Sequence, residues 1–162
     1  MIYFLVGPMG CGKNYVGERL AKELDCDFID GDSFVPESMA RKVLSFKPLG
    51  QKDIDDFVYD HLVPGILSSW KEGDDVVIAQ ALYRKEHRDA IAFLFTGHIV
   101  FVYIRCPLLL NLQRLWSRKK GLRWALYGLW NRIFFQTDGI SHIINNTKPQ
   151  FDFNHDLINQ KS

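Results

Sequence analysis

The sequence predicts an α/β fold, a parallel sheet sandwiched between helices in three α/β/α layers. Three observations predict it. Short apolar runs at Ile2–Val6, Val76–Ala79 and Ile99–Ile104 read as strands buried on both faces, as in a helix-covered parallel sheet. Stretches with helical periodicity alternate with them. Between the first strand and the first helix stands Gly7-Pro8-Met9-Gly10-Cys11-Gly12-Lys13-Asn14, which has the spacing of a phosphate-binding loop in the strand, loop, helix setting such a loop requires.

Taken in order, the first strand is 2–6 and the first helix about 13–24, with Val16, Leu20 and Leu24 on one face. Asp27-Phe28-Ile29-Asp30 is the second strand and runs into Gly31-Asp32. Helices are expected at about 36–46 and 51–71, separated by Pro48, the latter opening on the acidic turn Asp53, Asp55, Asp56. Gly73-Asp74-Asp75 turns into the third strand, 76–79. A helix of about 85–95 follows, broken from the fourth strand by Gly97-His98. Pro107 opens a helix with Leu108, Leu112, Leu115 and Trp116 on its apolar face and Arg114 and Arg118 opposite. Phe151-Asp152-Phe153 reads as a last short strand.

With 162 residues and no repeat, low-complexity tract or linker, the chain reads as one domain, 1–162. A net charge of +1 gives no indication of a nucleic-acid partner. Cys11, Cys26 and Cys106 are odd in number and lack metal spacing, which argues against a disulfide framework and for a reducing, cytoplasmic setting. No uncharged apolar run reaches membrane-spanning length, so no membrane partner is expected.

The loop's residue types follow from its chemistry. Backbone N–H groups must turn inward around a phosphate, and glycines at 7, 10 and 12 permit that approach. Pro8, Met9 and Cys11 complete the cradle, Cys11 as a small side chain that fits the loop. The start of the helix aims its free N–H groups at the anion, and Lys13 adds a point charge for the β- and γ-phosphates. Asn14 stands where the pattern has a hydroxyl residue. Strand carboxyl ends carry the sites of such sheets, which brings Asp30, Asp32, Gln80 and Cys106 to the loop's edge. Asp30 and Asp32 suit a Mg²⁺ water shell and an attacking hydroxyl. Arg118, followed by Lys119, Lys120 and Arg123, suits a mobile cationic segment over phosphates. Trp124, Tyr127, Trp130, Phe134 and Phe135 can form a packed lid, a substrate wall or a partner surface; packing is the default.

The ordered set resembles the gluconate kinase and shikimate kinase group of P-loop small-molecule kinases. Asp30-Gly31-Asp32 with Pro36 and Lys42 is similar to the gluconate kinase pattern D-G-D-x-x-H-P-x-x-N-x-x-K-M. Pro48-Leu49 with Asp53 falls where that family has P-L-x-D-x-D-R. Ala81-Leu82 with Arg88-Asp89 resembles C-S-A-L-K…Y-R-D, and Arg114-Leu115 with Arg118 resembles R-L-x-x-R, which leads into a lid at about 118–136. The resemblance covers roughly residues 2–120. It implies a P-loop NTPase fold with a five-stranded parallel sheet in the order 2-3-1-4-5. It implies ATP with Mg²⁺, and γ-phosphate transfer to a hydroxyl of a small polar acceptor. By position it implies Lys13 and Arg118 at the phosphates, Asp32 at the acceptor, Asp30 and Asn14 at the metal, and Gln80 and Arg88 near the substrate. Val35, Ile54 and Gln80 depart from the family's His, Arg and Ser, and these losses fall on acceptor recognition. The expected protein is an ATP-dependent carbohydrate or sugar-acid kinase, monomeric or homodimeric. Its rivals are a nucleotide-binding protein without activity and a nucleoside or nucleotide kinase.

Overall fold

The computed structural model describes residues 1–117, 121–140 and 142–147. A five-stranded sheet runs β2-β3-β1-β4-β5, with β1 at Ile2–Val6, β2 at Asp27–Asp30, β3 at Val76–Ala79, β4 at Ile99–Arg105 and β5 at His142–Asn145. Every pairing is parallel. The order that the resemblance implied is the order observed. The fifth strand comes from 142–145; the strand expected at Phe151–Phe153 lies outside the described residues.

β1 takes the centre because all five of its side chains can be buried, and alternation along it builds two cores. Tyr3 and Leu5 pack with Val77, Ala79, Val102 and Ile104 against Val16, Leu20 and Ala21 of α1 (Lys13–Leu24). Ile2, Phe4 and Val6 face the other way, onto Phe57, Val58, Leu62, Ile66 and Ile91. Burying a side chain such as Leu20 stabilises the fold by about 1.5–3 kcal/mol, and Leu20 is wholly buried.

The single helix expected over 51–71 is wound in three registers. α3 (Gln51–Asp56) passes through a wider turn, Phe57–Leu62, into α4 (Val63–Ser69). Pro64 explains the change: it has no N–H to return to the preceding turn, and the Val63 N–H bonds instead to the Val58 carbonyl, five residues back. α2 is Glu37–Leu44 and α5 is Lys85–Leu94.

α6 (Leu108–Leu115) departs from the expected face. Leu115 is buried, but so is Asn111, while Trp116 is 60% exposed. Arg114, expected on the outer face, turns inward to the glycine loop. The cause is the neighbour: α6 packs against a loop whose carbonyls need donors, so an amide and a guanidinium face it.

α7 (Gly121–Ile133) lies on α6, with Gly128 against Leu115. The aromatic segment divides. Phe135 packs between Tyr83 and Tyr103, whereas Trp130 and Phe134 point outward. No helix among the described residues is long and apolar enough to cross a membrane.

Candidate active site

The glycine loop follows the end of β1, and three side chains hold it from behind. Asn111 Nδ2 donates to the Met9 carbonyl at 2.8 Å. Asn146, just past β5, donates from Nδ2 to the Cys11 carbonyl at 2.7 Å, and Arg114 Nη1 donates to the same oxygen at 3.2 Å. Asn111 and Asn146 are almost completely buried. These contacts occupy the Met9 and Cys11 carbonyls and hold the loop in shape, while the Cys11 N–H closes the turn onto the Pro8 carbonyl at 3.2 Å. They also require glycine: Gly10 and Gly12 have φ of +79° and +91°, and a side chain on either would strike Asn111 or Asn146 respectively.

Lys13 opens α1, and its Nζ lies across the loop, donating to the Gly7 and Pro8 carbonyls at 3.0 and 3.2 Å. Cys11 is fully buried, in van der Waals reach of Gly7, and acts as the small packed side chain expected. Behind it, burial pushes the Cys106 thiol up, with Arg114 pulling weakly the other way.

The carboxylates stand across from the loop. Asn14 Nδ2 donates to Asp30 Oδ2 at 2.5 Å, and the Asp32 backbone N–H donates to Asp30 Oδ1 at 3.0 Å. Asp30 thus caps the short helical turn Gly31–Phe34. Gly31 has no room for a side chain, because Gln80 Cβ and the Ala79 carbonyl lie against it. Asp32 is left exposed on this turn. The amide orientation of Asn14 follows from chemistry, since only its NH₂ can donate to a carboxylate; its oxygen is turned the other way.

Magnesium takes one or two oxygens from protein, with phosphates and water supplying the rest. Beside the loop stand two such oxygen donors, the Asp30 carboxylate, both of whose oxygens accept hydrogen bonds, and the Asn14 amide oxygen, which is turned away from it.

Two candidates are buried and bonded to backbone. Arg88 is 2% exposed and donates to the carbonyls of Leu82, Gln136 and Asp138 at 2.9, 2.6 and 3.1 Å. Its guanidinium ties the chain leaving α7 to the turn after β3. Gln80 is 4% exposed, and its Oε1 accepts from the next backbone N–H, of Ala81, at 2.5 Å. Arg118 lies outside the described residues.

Tyr83 was missed by the sequence reading. Its hydroxyl is hydrogen-bonded to the Met9 backbone, and burial raises its pKa well above the ordinary tyrosine value, with Tyr127, Cys11 and Asp32 close enough to add to the effect. Its ring packs on Phe135, and its carbonyl accepts from the Gln136 N–H at 3.0 Å. One residue therefore joins the glycine loop to the chain leaving α7. Asn111 and Asn146 were missed as well. A lone amide carries no spacing signal, though an Asn amid the leucines of α6 is a polar residue at a core position.

On the far side of Asp32, Lys42 pairs with Asp53 at 2.5 Å, and His87 pairs with Asp55 at 2.8 Å. Both carboxyls are held below the ordinary range, Asp53 chiefly by Lys42 and Asp55 chiefly by His87.

Comparison with known proteins agrees with this geometry. The family model of shikimate kinases matches residues 9–128. The shikimate kinase of Haemophilus influenzae is 56% identical over 34 residues, 21% of this chain and 19% of that protein. That of Psychrobacter sp. is 59% identical over the same length and shares. The matched stretch thus spans about a fifth of the curated relatives. Among solved structures, a gluconokinase from Sinorhizobium meliloti superposes with a TM-score of 0.72 at 20% identity, over 91% of this chain and 83% of that one. A shikimate kinase from Acinetobacter baumannii, in complex with shikimate, gives 0.58 at 21% identity over 91% and 84%. These likenesses establish the fold of P-loop small-molecule kinases.

Proposed function

This chain belongs to the shikimate kinase family, and from that membership we propose that it transfers the γ-phosphoryl group of ATP to a hydroxyl of a small polyol or sugar acid. The observation that carries the reading is the glycine loop itself. Its carbonyls are held by Asn111, Arg114 and Asn146, and an exposed carboxylate, Asp32, stands at the same sheet edge.

In this reading the loop amides and Lys13 bind the β- and γ-phosphates, Lys13 leaving the Gly7 and Pro8 carbonyls to do so. Asp32 orients the acceptor hydroxyl and takes its proton as the oxygen attacks phosphorus and the bond to the β-phosphate oxygen breaks. Asp30 and Asn14 would hold magnesium, which when bound supplies charge neutralisation across the phosphates. Arg118, matched through the R-L-x-x-R resemblance, is the proposed lid cation. Asp30, Asp32 and Lys42 support an acceptor site of the gluconate kinase type. Val35 and Ile54, which pack against the apolar core, count against gluconate itself, since a carboxylated sugar needs cationic partners. None of the cysteines forms a disulfide, which supports placing the activity in the cytoplasm.

A second reading, a nucleotide-binding protein without transfer activity, is favoured by one contact. Asn14 occupies one oxygen of Asp30 while the Asp32 N–H occupies the other. Calorimetric titration of ATP with and without Mg²⁺, followed by a screen of polyols, sugar acids and nucleosides for ADP formation, separates the two. Magnesium-enhanced binding that requires Lys13, with acceptor-dependent ADP release, supports the kinase. Binding indifferent to magnesium, with no acceptor raising ADP release, supports the binder. ADP release raised by nucleosides alone would move the acceptor to that class.

A further inference from the structure

α7 has two apolar sides, and the fold uses only one. Ala125 is buried, and Gly128 sits on Leu115 of α6. The other side carries Leu126, Trp130, Ile133 and, one residue past the helix end, Phe134, with exposures of 57%, 61%, 67% and 55%. The spacing i, i+4, i+7, i+8 lays them along one stripe. Trp130 and Phe134 are in ring contact, with centroids 4.6 Å apart. Single exposed apolar residues are ordinary on a protein surface, but a contiguous stripe of large ones marks a contact face.

The charge of the surrounding sequence indicates what covers it. Residues 90–137 contain no Asp or Glu; all 19 lie elsewhere in the chain. The same stretch holds Arg105, Arg114, Arg118, Lys119, Lys120, Arg123 and Arg132. Arg114 and Arg132 turn inward, onto the Cys11 and Cys106 carbonyls. Arg105 and Arg123 are exposed, Arg123 lying 4.3 Å over the Phe46 ring. In a chain of net charge +1, this is a strong local asymmetry, and its complement is anionic. A second copy is disfavoured, because a two-fold interface would set this acid-free basic stretch against itself. Trp, Phe, Leu and Ile on a helix flanked by arginines and free of acids is the composition of helices that lie in the membrane–water boundary.

We propose that the outward face of α7, through Leu126, Trp130, Ile133 and Phe134, docks this protein onto an anionic lipid surface. This departs from the sequence expectation of no membrane partner, which set aside a membrane-surface helix at this segment; the contact proposed is peripheral, with the helix lying on the surface. It does not depend on the kinase reading.

The test is co-sedimentation of the full chain with phosphatidylcholine vesicles, with and without phosphatidylglycerol at about a third of the lipid. The expected result is binding to the anionic vesicles alone, with a blue shift of tryptophan emission and release at about 1 M salt, where screening is nearly complete. The double variant Leu126→Ser, Trp130→Ser should bind at least tenfold more weakly. Both side chains are exposed, so its melting temperature should match that of the parent, which excludes misfolding as the cause. No binding to anionic vesicles, or binding unchanged in the double variant, overturns the proposal. Light scattering that shows a dimer abolished by the same variant would assign the face to a second copy. Equal, variant-sensitive binding to polyglutamate would assign it to an acidic protein. Either result overturns the lipid assignment.

Discussion

The glycine loop and the turn across from it are built differently. The loop rests on α6 and the end of β5, where the buried Asn111 and Asn146, with Arg114, take up its carbonyls. The opposite side, from Gly31 through α2 and α3, has no fully buried residue in either helix. Its polar groups pair with one another near solvent, as in Lys42–Asp53 and Arg41–Glu37. In the proposed kinase reading the loop side would take the phosphates, and the other side, the acceptor side of that reading, is where this chain departs from the gluconate kinase pattern at Val35 and Ile54. One phosphate-binding scaffold can thus serve different acceptors, with changes confined to the loosely held side.

The largest expected effect is at Lys13. Lys13→Ala removes the one side-chain cation within the loop and should lower ATP affinity and any turnover by more than about a hundredfold, read by calorimetry and ADP release. Asp32→Asn should break the symmetry between the two sides. Turnover should fall by about 10²–10⁴, while the dissociation constant for ATP stays within about twofold. Full turnover in Asp32→Asn would remove the proton-accepting and orienting role.

Gly12→Ala probes the scaffold. The added methyl meets the Asn146 amide at a backbone angle that disfavours any side chain. Both ATP affinity and thermal stability should drop. Asn146→Ala should act more mildly, costing about 1–3 kcal/mol by leaving the Cys11 carbonyl with only the longer Arg114 bond, as read from denaturant unfolding. If Asn146→Ala binds ATP as the parent does and melts at the same temperature, the loop does not depend on support from behind.

The two sides also differ in how far the sequence reveals them. The glycine loop, β1, α1 and the carboxylates at the end of β2 were legible because local rules fix them: apolar runs, glycine spacing and strand ends. α6 was misread because its inward face is polar. Asn111 and Arg114 face in to satisfy carbonyls contributed by a segment about a hundred residues away, and no helical period reports that. The contacts of Arg88 were illegible for a related reason: an arginine near a site suggests a ligand, and nothing local reports that three backbone carbonyls take up its guanidinium. The break at Phe57–Leu62 was legible in principle from Pro64.

Tyr83 joins the loop side to the chain leaving α7, so Tyr83→Phe probes the loop's support from a further direction. The ring and its contact with Phe135 survive, and only the bond to the Met9 backbone is lost. If Tyr83 positions the loop for transfer, the maximal rate should fall about tenfold while ATP affinity and melting temperature change little. A parallel loss of affinity and stability would make it a packing residue only.

The smallest expected effect is a pH dependence confined to the acceptor side. Asp53 and Asp55 are held below the ordinary carboxylate range by Lys42 and His87. A carboxyl whose folded-state pKa is depressed stabilises the fold above its unfolded value and loses that contribution as pH falls through the folded value. Melting temperature should therefore be insensitive to these two groups from neutrality down to about pH 5, then decline below about pH 4 as they take up protons. Asp53→Asn should shallow that decline without moving ATP affinity at neutral pH, because Lys42 and Asp53 bond to each other and not to the glycine loop. The pair is partly exposed, so added salt should weaken its contribution as well. A decline of unchanged steepness in Asp53→Asn would show that other carboxylates govern the acid limit, and that the pairs on the acceptor side contribute little to holding its helices.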